Sequence, residues 1–192
     1  MTDIENLAAG VRAFTSNVFL VTGERTALVD TGANFDVVSR IEERVDDLDA
    51  VVLTHTHRDH VGNVDAVRST FGVETVGYDP THPAVDRELG GTVRLGDHDF
   101  TVLHTPGHKD DHVCLYDSDA SVCFAGDLVF DGGSFGRTDL EEGDRGTLIR
   151  SIDSLLDLVG PDLAELHTGH GPSVTTDAYG TIERAGQAAR QF

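Results

Sequence analysis

Four potential metal ligands fall within six residues of this chain, in the run His55-Thr56-His57-Arg58-Asp59-His60. An apolar stretch, Ala50-Val51-Val52-Leu53-Thr54, precedes them and reads as a buried strand. Val61, Val64, Val67 and Phe71 follow at the spacing of one helix face, which predicts a helix directly after the motif. A strand that opens into a helix holds its junction residues on rigid backbone, where a functional constellation needs them. The chain must therefore build a sheet whose edge presents these side chains together.

The rest of the sequence supplies such sheets. Strands are expected over 18–21 and 26–30, around the turn Gly23-Glu24-Arg25, then over 73–77, 92–95 and 100–103. Residues 113–116 and 121–125 read as a hairpin about Asp117-Ser118-Asp119, and 163–166 as a further strand. Helices are expected over 35–45, 148–158 and 176–191. With 192 residues, 39% hydrophobic content and 21 glycines, the expectation is one globular α/β domain over 1–192, two packed sheets with helices outside.

The formal net charge is -20, and Lys109 is the only lysine. Such a surface repels phosphate backbones and anionic membranes, so a small-molecule substrate is expected and neither nucleic acid nor a membrane is a partner. Abundant Asp and Glu with scarce Lys suits solvation at high salt, which points to a halophilic source. The N-terminus has neither the basic nor the apolar region of a signal peptide, and no segment has membrane-spanning length. A cytoplasmic protein is expected, of unspecified oligomeric state. Cys114 and Cys123 flank the hairpin turn and read as small buried thiols of a reducing compartment.

Three further residues stand in glycine-flanked positions at strand ends: His108 in Thr105-Pro106-Gly107-His108, Asp127 in Gly126-Asp127, and His170 in Gly169-His170-Gly171. With His55, His57, Asp59 and His60 they make five histidines and two aspartates. Imidazole and carboxylate suit zinc, and also iron or manganese. Seven donors exceed the four that one tetrahedral zinc takes, so two divalent ions sharing a carboxylate are expected. Asp30 reads as an outer carboxylate orienting the motif. His82, His98, His104 and His167 lack such a context and read as surface or core histidines.

Taken in order, Asn17-Val18-Phe19-Leu20-Val21, Asp30-Thr31-Gly32, the 55–60 motif, Thr105-Pro106-Gly107-His108, Gly126-Asp127 and Gly169-His170-Gly171 resemble the metallo-β-lactamase superfamily over nearly the whole chain. The resemblance implies a four-layer αβ/βα sandwich with two mixed sheets flanked by helices. It implies His55, His57 and His108 on a first metal, Asp59, His60 and His170 on a second, and Asp127 between them. Gly136-Arg137-Thr138-Asp139-Leu140, Gly143-Asp144 and His112 resemble the glyoxalase II-like branch, whose substrates are acyl thioesters, typically of glutathione. Flavodiiron proteins carry Glu at the second motif histidine, and true β-lactamases usually lack a histidine at the His60 position.

The expected activity is thioester hydrolysis by a metal-bridging hydroxide, which Asp59 would help to orient while ligating. Arg137 is a candidate contact for an anionic substrate or a partner of Asp139. His112 is a candidate substrate contact, an outer positioning residue or a satisfied strand residue. Two rivals remain. A persulfide dioxygenase, which shares the Gly-Arg-Thr-Asp segment, would hold one iron on His55, His108 and Asp127. A metal-stabilised binding domain would close its coordination shell. Glyoxalase II proteins carry a C-terminal helical domain that forms much of the thiol-carrier site, whereas only one helix is expected after His170, so the acyl carrier is not specified.

Overall fold

The computed structural model describes residues 2–191. The chain divides into two compact units, one up to Asp99 and the other from Phe100.

The first unit carries a sheet in the order β1-β2-β3-β4-β5-β6. β1 (Asp3–Asn6), β2 (Phe19–Thr22) and β3 (Ala27–Val29) are antiparallel neighbours, with Ile4 opposite Val21 and Leu20 opposite Leu28. β4 (Ala50–Val52), β5 (Thr75–Gly77) and β6 (Arg87–Glu88) continue it in parallel. Parallel neighbours need a crossover. α1 (Val37–Glu42) supplies it between β3 and β4, and α2 (Arg58–Val61) with α3 (Val64–Phe71) between β4 and β5. Leu20, Leu28, Val51 and Leu53 pack with Val37, Ile41, Val64 and Val67 of the helices. Phe19, Val21, Ala27, Val29, Ala50 and Val52 point the other way and are buried too. Strands buried on both faces read as unbroken apolar runs, which is why this sheet was visible in the sequence. β7 (Thr92–Leu95) ends the unit and turns through Gly96 into β8 (His98–His104), the strand that spans the boundary.

Two helical expectations were too long. The helix expected over 35–45 stops at Glu42, because the Arg44 amide bonds back to Ile41 three residues earlier and tightens the last turn. The helix expected to run unbroken after the motif is split at Gly62-Asn63. There the Asn63 amide donates to the Gly32 carbonyl at 3.1 Å and its side chain donates to the Thr31 carbonyl at 3.0 Å.

In the second unit the sheet runs β13-β10-β9-β8. β8 and β9 (Val113–Asp117) are antiparallel, as are β9 and β10 (Val122–Gly126), whereas β10 pairs in parallel with β13 (Glu165–Thr168). β11 (Val129–Phe130) and β12 (Ser134–Phe135) form a small hairpin over a 3-10 turn at Asp131–Gly133. α4 (Arg145–Leu158) leads over to β13, and α5 (Ala178–Gln191) follows. Asp144 caps α4 by accepting the Thr147 amide proton at 2.6 Å. Leu148, Ile152 and Leu155 of α4 and Ile182, Ala185 and Ala189 of α5 pack with Cys114, Cys123, Ala125 and Leu166 of the sheet. The strand expected over 163–166 lies two residues later, because Leu163 closes a turn onto the Gly160 carbonyl. Both sheets are mixed and carry helices, the α/β architecture expected. Among the described residues no helix is long and apolar enough to cross a membrane.

Candidate metal centre

The ligand residues of the first unit follow β4, where Leu53-Thr54 carry the chain out of the sheet to His55. Asp30, at the matching end of β3, accepts the Thr54 amide proton at Oδ1 and the Thr54 hydroxyl proton at Oδ2, each at 2.8 Å. With its proton on Asp30, the Thr54 oxygen accepts from His55 Nδ1 at 3.1 Å. His60 Nδ1 donates to the same Asp30 Oδ2 at 2.8 Å. Both rings therefore carry their proton on Nδ1, and Nε2 is the basic nitrogen that a cation would take. His55 Nε2 lies 3.0 Å from His57 Nδ1, and His60 Nε2 lies 4.0 Å from Asp59 Oδ2. His55 and His60 are buried, while His57 and Asp59 are partly open. Asp59 is held by its own backbone, whose carbonyl accepts from the Ser16 amide at 3.1 Å.

The second unit gathers His108, Asp127 and His170. His108 Nδ1 donates to the Arg137 carbonyl at 2.8 Å, which again leaves Nε2 basic. Asp127 Oδ2 stands 3.4 Å from His108 Nε2 and 3.5 Å from His170 Nε2. Donors about 2.0–2.2 Å from a tetrahedral metal lie roughly 3.3–3.6 Å from one another. The 3.4 and 3.5 Å separations match such an edge, so one carboxylate oxygen can serve a cation on either side. A register shift between Phe124 and Gly126, where β10 pairs with β13, turns the chain just before Asp127, and Gly126 takes φ +47 there. Gly136 allows the backbone beside Arg137 to come close, since a Cβ at that position would sit 2.0 Å from the Asp127 carbonyl oxygen.

Each sequence-expected donor thus joins one of two sets, His55, His57, Asp59 and His60 in one unit and His108, Asp127 and His170 in the other. His112 is fully buried, with Nδ1 2.8 Å from Thr105 Oγ1 and Nε2 accepting the Asp127 amide proton at 3.0 Å. Burial removes the direct substrate contact considered for it. The Arg137 guanidinium is 67% exposed and bonds Asp139 through Nε and Nη2, both at 2.9 Å, the paired arrangement of the two considered. Thr54, Thr105 and the Arg137 carbonyl escaped the sequence reading. Threonines at strand ends carry no signal of their own, and a carbonyl carries none at all.

The remaining histidines stand apart from both sets. His104 bonds the Asp110 carbonyl at 2.7 Å, and His82 accepts the Ala84 amide proton at 3.1 Å. His98 is half-buried on β8. His167 is buried, stacks on Phe124 at 5.0 Å and lies 2.8 Å from Ser173 Oγ, and burial pushes its pKa down to about 4. Both cysteines are free and buried, as expected. Burial pushes the Cys114 thiol up to about 12 and the Cys123 thiol well above its ordinary value. Cys123 stands opposite Tyr116, so Cys114 is its diagonal neighbour.

The profile of the Metallo-beta-lactamase superfamily matches residues 11–85 and 75–170. The chain is 32% identical to the hydroxyacylglutathione hydrolase GloC of Haemophilus influenzae, over 86% of this chain and 90% of that protein. It is 37% identical to a hydroxyacylglutathione hydrolase of Klebsiella pneumoniae over 64% of this chain, where it spans 51% of the relative's length. Among solved structures, TTHA1623 in a di-iron-bound form superposes with a TM-score of 0.76 at 31% identity, covering 91% of this chain and 96% of that one. ETHE1 from Myxococcus xanthus superposes with a TM-score of 0.74 at 21% identity, covering 99% and 90%, which establishes likeness of fold.

Proposed function

The chain belongs to the metallo-beta-lactamase superfamily as a metallo-hydrolase, and from that premise we propose that it hydrolyses acyl thioesters of a small thiol. The observation that carries this reading is the position of Asp127 Oδ2, 3.4 Å from His108 Nε2 and 3.5 Å from His170 Nε2. In the proposed centre, following the superfamily pattern, His55, His57 and His108 would hold one divalent ion and Asp59, His60 and His170 a second, with Asp127 shared. The fixed Nδ1–H tautomers of His55, His60 and His108 fit these roles, because each presents Nε2 as the donor. Zinc suits the nitrogen-rich donor set, and the di-iron form of TTHA1623 supports iron as an occupant. Bound there, the metal pair would supply an acidified water and polarise the substrate carbonyl.

The chain's own residues would do the rest. From its partly open position on α2, Asp59 would orient the attacking water while ligating metal. Asp127 and the five histidines fix the geometry before substrate arrives, so little reorganisation accompanies charge development. A thiol is acidic enough to leave as thiolate, so no side chain is needed as a general acid. The two hydroxyacylglutathione hydrolases above support a hydroxyacyl thioester of glutathione as the first compound to test.

The experiment is turnover of S-lactoylglutathione and other acyl thioesters by protein loaded separately with zinc, iron or manganese, followed as free thiol released. Thioester hydrolysis that is lost in His57→Ala and Asp127→Ala is expected. Oxidation of a persulfide by protein holding a single iron, with no thioester turnover, would assign the other activity.

A further inference from the structure

We infer that Cys114, Thr105 and His112 form a buried hydrogen-bond relay that aims Asp127, making all three positioning residues of the metal centre. The inference rests on Asp127 as a metal ligand and not on the identity of the substrate.

Proton directions follow from one fixed donor. The Asp127 amide can only donate, and it donates to His112 Nε2 at 3.0 Å. Nε2 must then present its lone pair, so the neutral ring carries its proton on Nδ1. Nδ1 faces Thr105 Oγ1 at 2.8 Å and donates to it. The Thr105 hydroxyl proton points to Cys114 Sγ at 3.4 Å, and the Cys114 thiol to the Ala125 carbonyl at 3.6 Å. The backbone reinforces the first step, because the Thr105 amide donates to the His112 carbonyl at 2.8 Å.

The relay begins at the amide of residue 127 and ends at the carbonyl of residue 125. Between them lies Gly126, at the register shift that turns the chain out of the sheet. A bulge takes backbone groups out of the strand ladder, and buried ones need partners. His112 supplies an acceptor for one such group, and Cys114 adds a second donor to the Ala125 carbonyl, which also accepts the Leu128 amide proton at 3.1 Å. All three relay side chains are fully buried, so the network sits in a low-dielectric interior where each bond is held firmly. Holding residues 125 to 127 on both sides of the glycine fixes the Asp127 Cα, and with it the near-equal spacing of Oδ2 from His108 and His170. This assigns a role to Cys114 that does not use its reactivity, consistent with a thiol pushed up to about 12.

Thr105→Val keeps the shape and removes the hydroxyl, leaving His112 Nδ1–H with no acceptor from this side chain. Thr105→Ser restores it. Outer partners of metal ligands typically change metal affinity roughly 10–100-fold. The valine variant should therefore bind its second metal equivalent 10–100-fold more weakly, and the serine variant within a few-fold of the unaltered protein, by titration of metal-free protein. Imidazole 15N correlation spectra of the metal-free, unaltered protein should show His112 protonated at Nδ1, its signals assigned by their loss in His112→Gln. Protonation at Nε2 would overturn the relay. So would a valine variant that holds both metals at full affinity. The spectrum needs no Thr105 variant, so the inference remains testable even if Thr105→Val does not fold. Neither readout depends on thioester turnover, so a wrong substrate would leave both unchanged.

Discussion

A single oxygen of Asp30, Oδ2, accepts from His60 Nδ1 and from the Thr54 hydroxyl, each at 2.8 Å, and through Thr54 it also governs His55. One buried carboxylate thus sets the tautomers of two motif histidines. It does so from φ +60, a backbone conformation that alanine tolerates poorly. Asp30→Ala would leave the buried Thr54 amide and hydroxyl without these acceptors, each at a cost of about 1–3 kcal/mol. Urea unfolding of the metal-free variant should show a loss of about 3 kcal/mol. Asp30→Asn, which keeps one acceptor oxygen, should fall between. Equal stability of Asp30→Ala and the unaltered protein would refute this role.

How much of this arrangement could be read from residues alone depends on distance along the chain. The 55–60 motif was legible because four donors occur together, directly after an apolar run. His108, Asp127 and His170 were legible because glycines flank them. The break between α2 and α3 was not, because the competing acceptors of Asn63 lie some thirty residues earlier at Thr31 and Gly32. Asp30 could be suspected, but Thr54 and Thr105 could not, since a threonine just beyond a strand end carries no signal of its own. The ambiguity of His112 was of the same kind. Its role is defined by the Asp127 amide, which no side-chain pattern reveals.

Gly136 offers a test of backbone proximity. A methyl group there would meet the Asp127 carbonyl oxygen at 2.0 Å and the His108 ring at 3.1 Å. The contact to backbone cannot be relieved by a rotamer change, so the hairpin must move and carry the Arg137 carbonyl away from His108 Nδ1. Overpacking of this kind costs about 1–3 kcal/mol. Gly136→Ala should keep its far-ultraviolet circular dichroism while binding metal at least roughly tenfold more weakly, the scale on which such outer contacts act. Metal binding at full strength would show that the close approach is not needed.

His167 should leave a signature in acid. Burial lowers its pKa from 6.5 to about 4, and the partly exposed Glu165 carboxylate, 3.2 Å away, is too well solvated to offset this. Between these two values the unfolded chain binds a proton that the folded one does not. Stability is therefore greatest above pH 6.5 and declines as pH falls toward 4, by about 3 kcal/mol for this group. His167→Phe, which retains stacking on Phe124, should have a shallower decline over that window. Denaturant unfolding of both metal-free proteins at pH 7, 5.5 and 4 measures the difference, and parallel curves would refute it.

The charge balance makes the final prediction. With 34 acidic residues against 14 Lys and Arg, many carboxylates have no basic partner. Glu42, Asp46 and Asp47 line one open hollow with Val45, Thr70 and Phe71, and neighbouring Arg44 is committed to Glu5 and Glu43. Repulsion between exposed charges is screened as the Debye length falls from about 10 Å at 0.1 M salt to about 3 Å at 1 M. The thermal midpoint should therefore rise steadily with potassium chloride. The triple variant Glu42→Gln, Asp46→Asn, Asp47→Asn removes three charges from one place, so its midpoint should be higher at low salt and rise less steeply. Calorimetry over a salt series reads both effects. Equal slopes for the two proteins would mean that salt acts through another route, such as stronger apolar burial.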